Sequence, residues 1–270
     1  MQNQLVVSVY NDIVNGKTID RETVLLLSGT PEPGALYALA DNVRRFFMGD
    51  RFHLCSIINA RSGNCSEDCR FCAQSARHHT GIETYTLIEE EKAVNQARDN
   101  DRHGVHRLSL VTSGRRVTGA QLEEIRPLYG AITKKTSLAL CASMGLLDEA
   151  SLRRLKTMGV SRYHCNLEAS ASYFPRVCTT HSHQQKVETL KMAEKVGLSI
   201  CSGGIIGMGE SMQDRIDLAF ERRNLGVRSI PITILSPIKG TPLAVRPVLP
   251  LQEVLITVAL FRLINPDAVI

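Results

Sequence analysis

The sequence predicts an α/β fold, a barrel of parallel strands each followed by a helix. Three observations predict it. From His53 onward, short β-rich runs alternate with amphipathic helical stretches. The strand runs are apolar nearly throughout, as strands covered on both faces are. No low-complexity segment or compositional linker divides 53–270. The candidate strands are 53–59, 106–112, 137–143, 162–167, 198–205 and 229–235, with a seventh starting near Ala268. Helices are expected near 86–102, 119–134, 148–158, 182–196, 211–224 and 250–264. As read, the barrel is incomplete: six strands and the start of a seventh.

Residues 1–52 precede this rhythm and read as a helical extension. Leu5 to Val14 and Glu22 to Leu27 carry short apolar stripes, and Pro31, Pro33 and Gly34 interrupt them. Leu36, Leu39, Val43, Phe46 and Phe47 then recur at helical spacing. This part holds no reactive constellation, so a cap packed on the barrel is expected. The division expected is therefore 1–52 and 53–270.

With 270 residues and 43 % hydrophobic content, the chain has ample material for a core. The net charge of +5 comes without a long Lys/Arg run, which speaks against nucleic-acid or membrane-surface partners. No apolar stretch reaches the roughly 18 residues that suggest a membrane span. The N-terminus lacks the basic-then-apolar order of a secretion signal. Eight cysteines are too sparse for a disulfide scaffold, and in a cytosolic protein such thiols bind metal or react. A cytoplasmic location is expected.

The chemistry gathers at Cys65, Cys69 and Cys72, spaced C-x3-C-x2-C, with Phe71 before the third thiol. They follow the first predicted strand, and barrels of this kind carry their chemistry at the C-terminal strand ends. Three thiolates on one short loop can grip a corner of a metal centre. An iron-sulfur cube takes four cysteines, so three local ones leave an iron open to a ligand that is not protein. A structural zinc loop would want a second C-x2-C or a histidine pair, and neither follows. The run from Gly203 to Gly209 reads G-x-x-G-x-G from Gly204, unlike a dinucleotide fingerprint. Two glycine-bearing strand ends, at 112–114 and 202–204, can bring backbone close to a small cofactor.

Cys55, Cys141, Cys165 and Cys201 lie in or at the end of four different predicted strands. Inward-facing side chains of a barrel converge, and four thiols there would hold a second cluster. Taken singly, each reads equally as a small core residue. Cys178, near His181 and His183 after the fourth strand, reads as non-essential.

C-x3-C-x2-C with an aromatic residue before the last cysteine resembles the signature of radical S-adenosylmethionine (SAM) enzymes. The wider run 59–75 resembles biotin synthases in particular. So do His164-Cys165-Asn166-Leu167, the stretch from Cys201 to Glu210, and Lys239-Gly240-Thr241-Pro242-Leu243. The likeness covers about 53–270, in order. It implies a TIM-type barrel of the radical SAM class and a 4Fe-4S cube on Cys65, Cys69 and Cys72 that chelates SAM. It also implies one electron from a flavodoxin- or ferredoxin-type donor, a 5′-deoxyadenosyl radical that takes hydrogen from dethiobiotin, and sulfide from an auxiliary cluster. That is sulfur insertion, the last step of biotin biosynthesis. A homodimer is left open.

The same resemblance carries residue roles. Phe71 and the backbone of Val111, Thr112 and Ser113 match positions around SAM. Asn166 matches an asparagine that positions dethiobiotin and SAM, Glu168 replaces a usual aspartate, and Thr233 stands where a second asparagine is usual. The common auxiliary cluster is 2Fe-2S on three cysteines and an arginine. Cys141 and Cys201 match two of those cysteines, and the third falls at Ser109. Cys55 replaces a usual serine and Cys165 a usual histidine. A variant auxiliary cluster, 2Fe-2S or larger, is therefore expected on Cys55, Cys141, Cys165 and Cys201, with Ser109 beside it. Two other readings stay open: a related cofactor-maturation methylase, and a non-catalytic remnant that binds cluster and SAM. Biotin synthases continue through the rest of a seventh strand and an eighth. The chain as it stands is thus expected to be short for catalysis, poorly soluble or quick to lose its cluster.

Overall fold

The computed structural model describes residues 2–270; Met1, the first residue of the expected extension, lies outside them. Three helices open the chain, α1 (Gln2–Val14), α2 (Arg21–Ser28) and α3 (Gly34–Met48). Asp20 caps α2 by accepting a bond from the Thr23 amide at 2.8 Å, and the Pro31–Gly34 break separates α2 from α3 as expected. Strand and helix then alternate: β1 (Cys55–Arg61), α4 (Glu90–Arg102), β2 (Arg107–Thr112), α5 (Gly119–Lys135), β3 (Ala139–Ser143), α6 (Glu149–Thr157) and β4 (Val160–His164). There follow α7 (His183–Lys195), β5 (Ser199–Cys201), β6 (Gly204–Ile206), α8 (Met212–Asn224), β7 (Ile232–Ile234) and α9 (Leu251–Ile264). Side chains cap the helices after β2, β4 and β6: Thr118 with Gln121, Ser182 with Gln185, and Ser211 with Asp214 form reciprocal capping boxes.

All strand pairs are parallel. β1 to β5 form one sheet in chain order, and β6 pairs with β7 in a second. Together they make a partial TIM-type barrel. Two differences from the expected strand boundaries bear on the site. The predicted strand 198–205 is broken at Ser202-Gly203, so that β5 pairs with β4 and β6 with β7. The reason is steric: a Cβ on Gly203 would lie 1.7 Å from the Pro231 carbonyl oxygen, so the chain turns where the sixth strand comes closest. The predicted strand 162–167 is instead β4 at 160–164, which shifts what its last residues do. At the far edge, Val269 bridges Ser229, bonded through Ile230 N to Val269 O at 2.8 Å, where a seventh strand was expected to start.

The core lies between the sheet and the helices. Leu108, Leu110, Ala142 and Tyr163 face outward into it from the strands, against Leu122, Tyr129, Leu190 and Leu218. α3 packs on α9 and α2 on α8 and α9, which seats the N-terminal helices against the last part of the ring. Arg215 of α8, 2 % exposed, ties this side together: it donates to Glu210 and Glu253 at 2.7 Å each. Glu210 in turn accepts from the Gly207 amide at 2.7 Å. Removing one partner of a buried pair leaves the other charge stranded. Arg215→Met should therefore cost about 3–5 kcal/mol, read as a lower urea midpoint of the whole chain.

Candidate active site

The loop after β1 is folded back on itself. Gly63 and Asn64 both take positive φ, 75° and 52°, which reverses the chain immediately before Cys65. Cys65 then bridges Ser75: the Cys65 amide donates to Gln74 O at 3.0 Å, and the Ala76 amide to Cys65 O at 2.8 Å. Ser75 Oγ crosses the loop to Glu67 O at 2.6 Å, and the Cys72 amide closes a turn onto Cys69 O at 2.9 Å. Cys65, Cys69 and Cys72 thus sit on one closed loop at the C-terminal end of β1. Burial raises the Cys72 thiol, and the neighbouring Cys65 adds to that. Phe71 packs with Tyr173, Val177 and Met208 in a small apolar group beside the loop.

A second loop, after β4, is lashed to the first. Asp68 accepts from the Thr179 and Thr180 amides at 2.9 and 3.2 Å and from both threonine hydroxyls. Burial works against its charge, but these bonds hold its carboxyl well below the usual range. The same lash brings Cys178 up to Cys69. Cys178 is drawn down to about 4, first by the hydrogen bond from Cys69 and, against burial, by His181 and Thr180.

At the end of β2 and just after β4 stand the other residues expected around SAM. Ser113 Oγ donates to Gly63 O at 2.6 Å and so pins the β2 end to the loop. Val111 faces the barrel interior, and Thr112 is buried with no partner for its hydroxyl. Asn166 does not cap the following turn; its Oδ1 accepts from the Gly203 amide at 2.8 Å. Glu168, at φ 69°, is half-buried, with one buried carboxylate oxygen unpartnered. Burial raises its pKa in spite of Lys186 and Arg222 nearby. The expected close approach at 202–204 is to neighbouring backbone: Gly203 meets Pro231. Thr233 lies in β7, paired with Ile205.

Below these, the strands enclose a cavity of about 560 Å³. Cys55, Ser109, Cys141 and Cys201 all line it. Its β1 side is the open one, where Cys55 is exposed and Ile57 is 68 % exposed. Ser229 donates to Cys201 Sγ at 3.2 Å, and burial pushes Cys201 up to about 11 against the pull of Ser229 and Arg162. Burial likewise raises Cys141, while Arg107, 3.7 Å from its sulfur, works the other way. Ser109 Oγ is buried and unpartnered, as a side chain aimed at an absent group would be.

Cys165 is not brought together with these thiols, which corrects the expected four-thiol set. It lies in the core between sheet and helices with Tyr163, on the opposite face from the cavity. Because β4 runs 160–164, the inward parity falls on Arg162 and His164. His164 Nδ1 is 3.2 Å from Cys201 Sγ, and burial, then Lys186, pull the imidazole down to about 4, so it is neutral. Arg107, Arg162 and His164 are among the cavity residues that the sequence reading missed. The available signal was the alternation of Arg162 and His164 about Tyr163, and a charged residue, Arg107, opening the second strand.

Comparisons with known proteins agree with this geometry. The Radical SAM superfamily model matches 60–221, and that of the Biotin and Thiamin Synthesis associated domain matches 231–270. A biotin synthase of Heliobacterium modesticaldum is 50% identical over 256 residues, covering 94% of this chain and 78% of its own length. One from Desulfotalea psychrophila is 54% identical over 235 residues, covering 87% and 70%. Among solved structures, methylornithine synthase superposes with a TM-score of 0.83 over 96% of this chain and 77% of its own, at 20% identity, which shows the fold. The FeFe-hydrogenase maturase HydG from Carboxydothermus hydrogenoformans gives 0.81 over 99% and 65%, at 16% identity. With family models over most of its length and relatives near half identity, this chain belongs to the radical SAM superfamily and, within it, to the biotin synthase family.

Proposed function

We propose that the chain converts dethiobiotin to biotin by radical SAM sulfur insertion. The observation that carries this reading is the pairing of two separate sulfur-rich sites on one set of strands. One is the three-cysteine loop at the strand ends; the other is the cavity that Cys55, Cys141 and Cys201 line. A methyl-transfer enzyme of the same fold has no evident use for the second.

The residues suit the groups that the family implies. Cys65, Cys69 and Cys72 would hold a 4Fe-4S cube, and Thr112 and Glu168, whose buried oxygens are unpartnered, would bond a polar ligand beside it. Cys55, Cys141 and Cys201 would hold an auxiliary iron-sulfur cluster, with His164 or Ser109 completing the set and Arg107 and Arg162 balancing its charge. When bound, the two clusters supply the electron that cleaves SAM to a 5′-deoxyadenosyl radical and the sulfur that enters the substrate. The protein's part is placement. Asn166 and the backbone of 111–113 would orient SAM and the ureido ring, Phe71 and its apolar neighbours would exclude water, and Arg107 and Arg162 would stabilise anionic charge. The helical residues 1–52 serve as a cap, and 53–270 as the catalytic unit. A flavodoxin- or ferredoxin-type protein would supply the electron. No helix among the described residues is long and apolar enough to cross a membrane.

The test is anaerobic reconstitution followed by incubation with dethiobiotin, SAM and a reductant. Biotin, methionine and 5′-deoxyadenosine should all form, and iron and sulfide should exceed the content of a single cube. SAM cleavage without biotin, from a chain carrying both clusters, would refute the assigned substrate.

A further inference from the structure

Cys178 and His181 play no part in the function above, yet they are built into it with care. Cys69, Cys178 and His181 bring their donor atoms within 4.8 Å of one another, from two loops more than 100 residues apart. Cys178 is 3 % exposed, and its sulfur lies 3.3 Å from His181 Nδ1. Glu67 Oε2 lies 2.6 Å from that same nitrogen, and the Glu67 and His181 side chains are each 6 % exposed. Two sulfurs and an imidazole therefore face one point, while Glu67 contacts the imidazole and lies outside that group of three. The three are electron-pair donors, so each short contact among them needs a proton in between. One cation would replace those protons together. The second loop is held in place independently, by Asp68 on Thr179 and Thr180, so these donors are positioned without a metal.

We propose that Cys69, Cys178 and His181, the last oriented by Glu67, form a mononuclear site for ferrous iron that is used before the cube exists. Two thiolates and an imidazole, with a water as fourth ligand, suit a tetrahedral divalent cation of the iron–zinc group. The site shares Cys69 with the cube, so the two cannot be filled at once. The bound ion passes to the cube loop when the Cys69 thiolate turns from Cys178 toward Cys65 and Cys72. This is ligand exchange, without electron transfer, and the displaced thiol protons go to solvent. The handover rests on the assignment of Cys69 to the cube; the site itself does not. A zinc ion lodged there would block cluster assembly.

Cobalt(II) alone is the probe. Titrated anaerobically into the full chain stripped of iron and reduced, the first equivalent should give tetrahedral visible bands with thiolate-to-cobalt charge transfer. Cys178→Ser and His181→Gln should each weaken that binding by about tenfold or more, while Cys65→Ser and Cys72→Ser leave it unchanged. Ferrous iron in excess should compete with the cobalt for the same site. Circular dichroism of each stripped variant reports folding, and if Cys178→Ser fails to fold, His181→Gln decides. A first cobalt that depends on Cys65 or Cys72 as strongly as on Cys178 would place the ion in the cube position and overturn the proposal. So would binding indifferent to Cys178 and His181. The readout needs neither SAM nor dethiobiotin, so a failed biotin assay and a failed cobalt titration are separable results.

Discussion

Replacing Cys65, Cys69 and Cys72 together by alanine should abolish SAM cleavage, with 5′-deoxyadenosine falling to background. The loss should be complete, because the loop offers the cube three thiols and a cube takes four ligands including the open one. The same variant should still retain iron and sulfide after reconstitution. The cavity that Cys55, Cys141 and Cys201 line is a separate place in the fold and shares none of these thiols. Chromatography of 5′-deoxyadenosine and iron analysis on one sample read both halves. Cleavage persisting in the triple variant would remove the cube from this loop; absence of all iron would return the inner thiols to the status of core residues.

The second large effect separates two neighbouring positions in the inner site. Cys201→Ala and Cys141→Ala should each strip the auxiliary cluster and reduce biotin to background, while SAM cleavage continues. Cys165→Ala should keep that cluster, because its sulfur faces the helices. Its cost should be one of packing, about 1 kcal/mol, seen as a small drop in thermal midpoint. Iron counting on the outer-triad background gives the cleanest comparison. If Cys165→Ala removed inner iron as Cys201→Ala does, the outward orientation would be wrong.

These two sites were unequally legible in the sequence. The cube loop is local, so its spacing alone declares it, and the strand–helix order from His53 to Ile264 follows from short-range pattern. Cys55, Cys141 and Cys201 were reachable by asking which strands carry thiols. Cys165 was misjudged because the strand was placed at 162–167 and taken as apolar; Arg162 and His164 share its polar, inward face, which leaves 163 and 165 outward. The observed partner of Tyr163 in the core settles it: 163 and 165 look outward, 162 and 164 inward. The break at Ser202-Gly203 was illegible for a different reason. Nothing near it in sequence announces that Pro231 will approach from the next strand. Cys178 likewise looked incidental because its partners, Asp68 and Cys69, are set by contact between two loops and not by neighbours along the chain.

The alternation along β4 also makes that segment a ruler. Arg162 and His164 both line the cavity and stand two residues apart on one inward-facing row. At about 3.3 Å of rise per residue, that fixes roughly 7 Å between the two levels, set by peptide geometry instead of side-chain choice. A group held across that gap meets the guanidinium at one level and the imidazole beside Cys201 at the other only if its own length matches. Exchanging side chains along the row alters affinity, but it cannot alter the calibration. Deleting a single residue between the two would rotate one level out of the barrel, so the distance can change only in double steps.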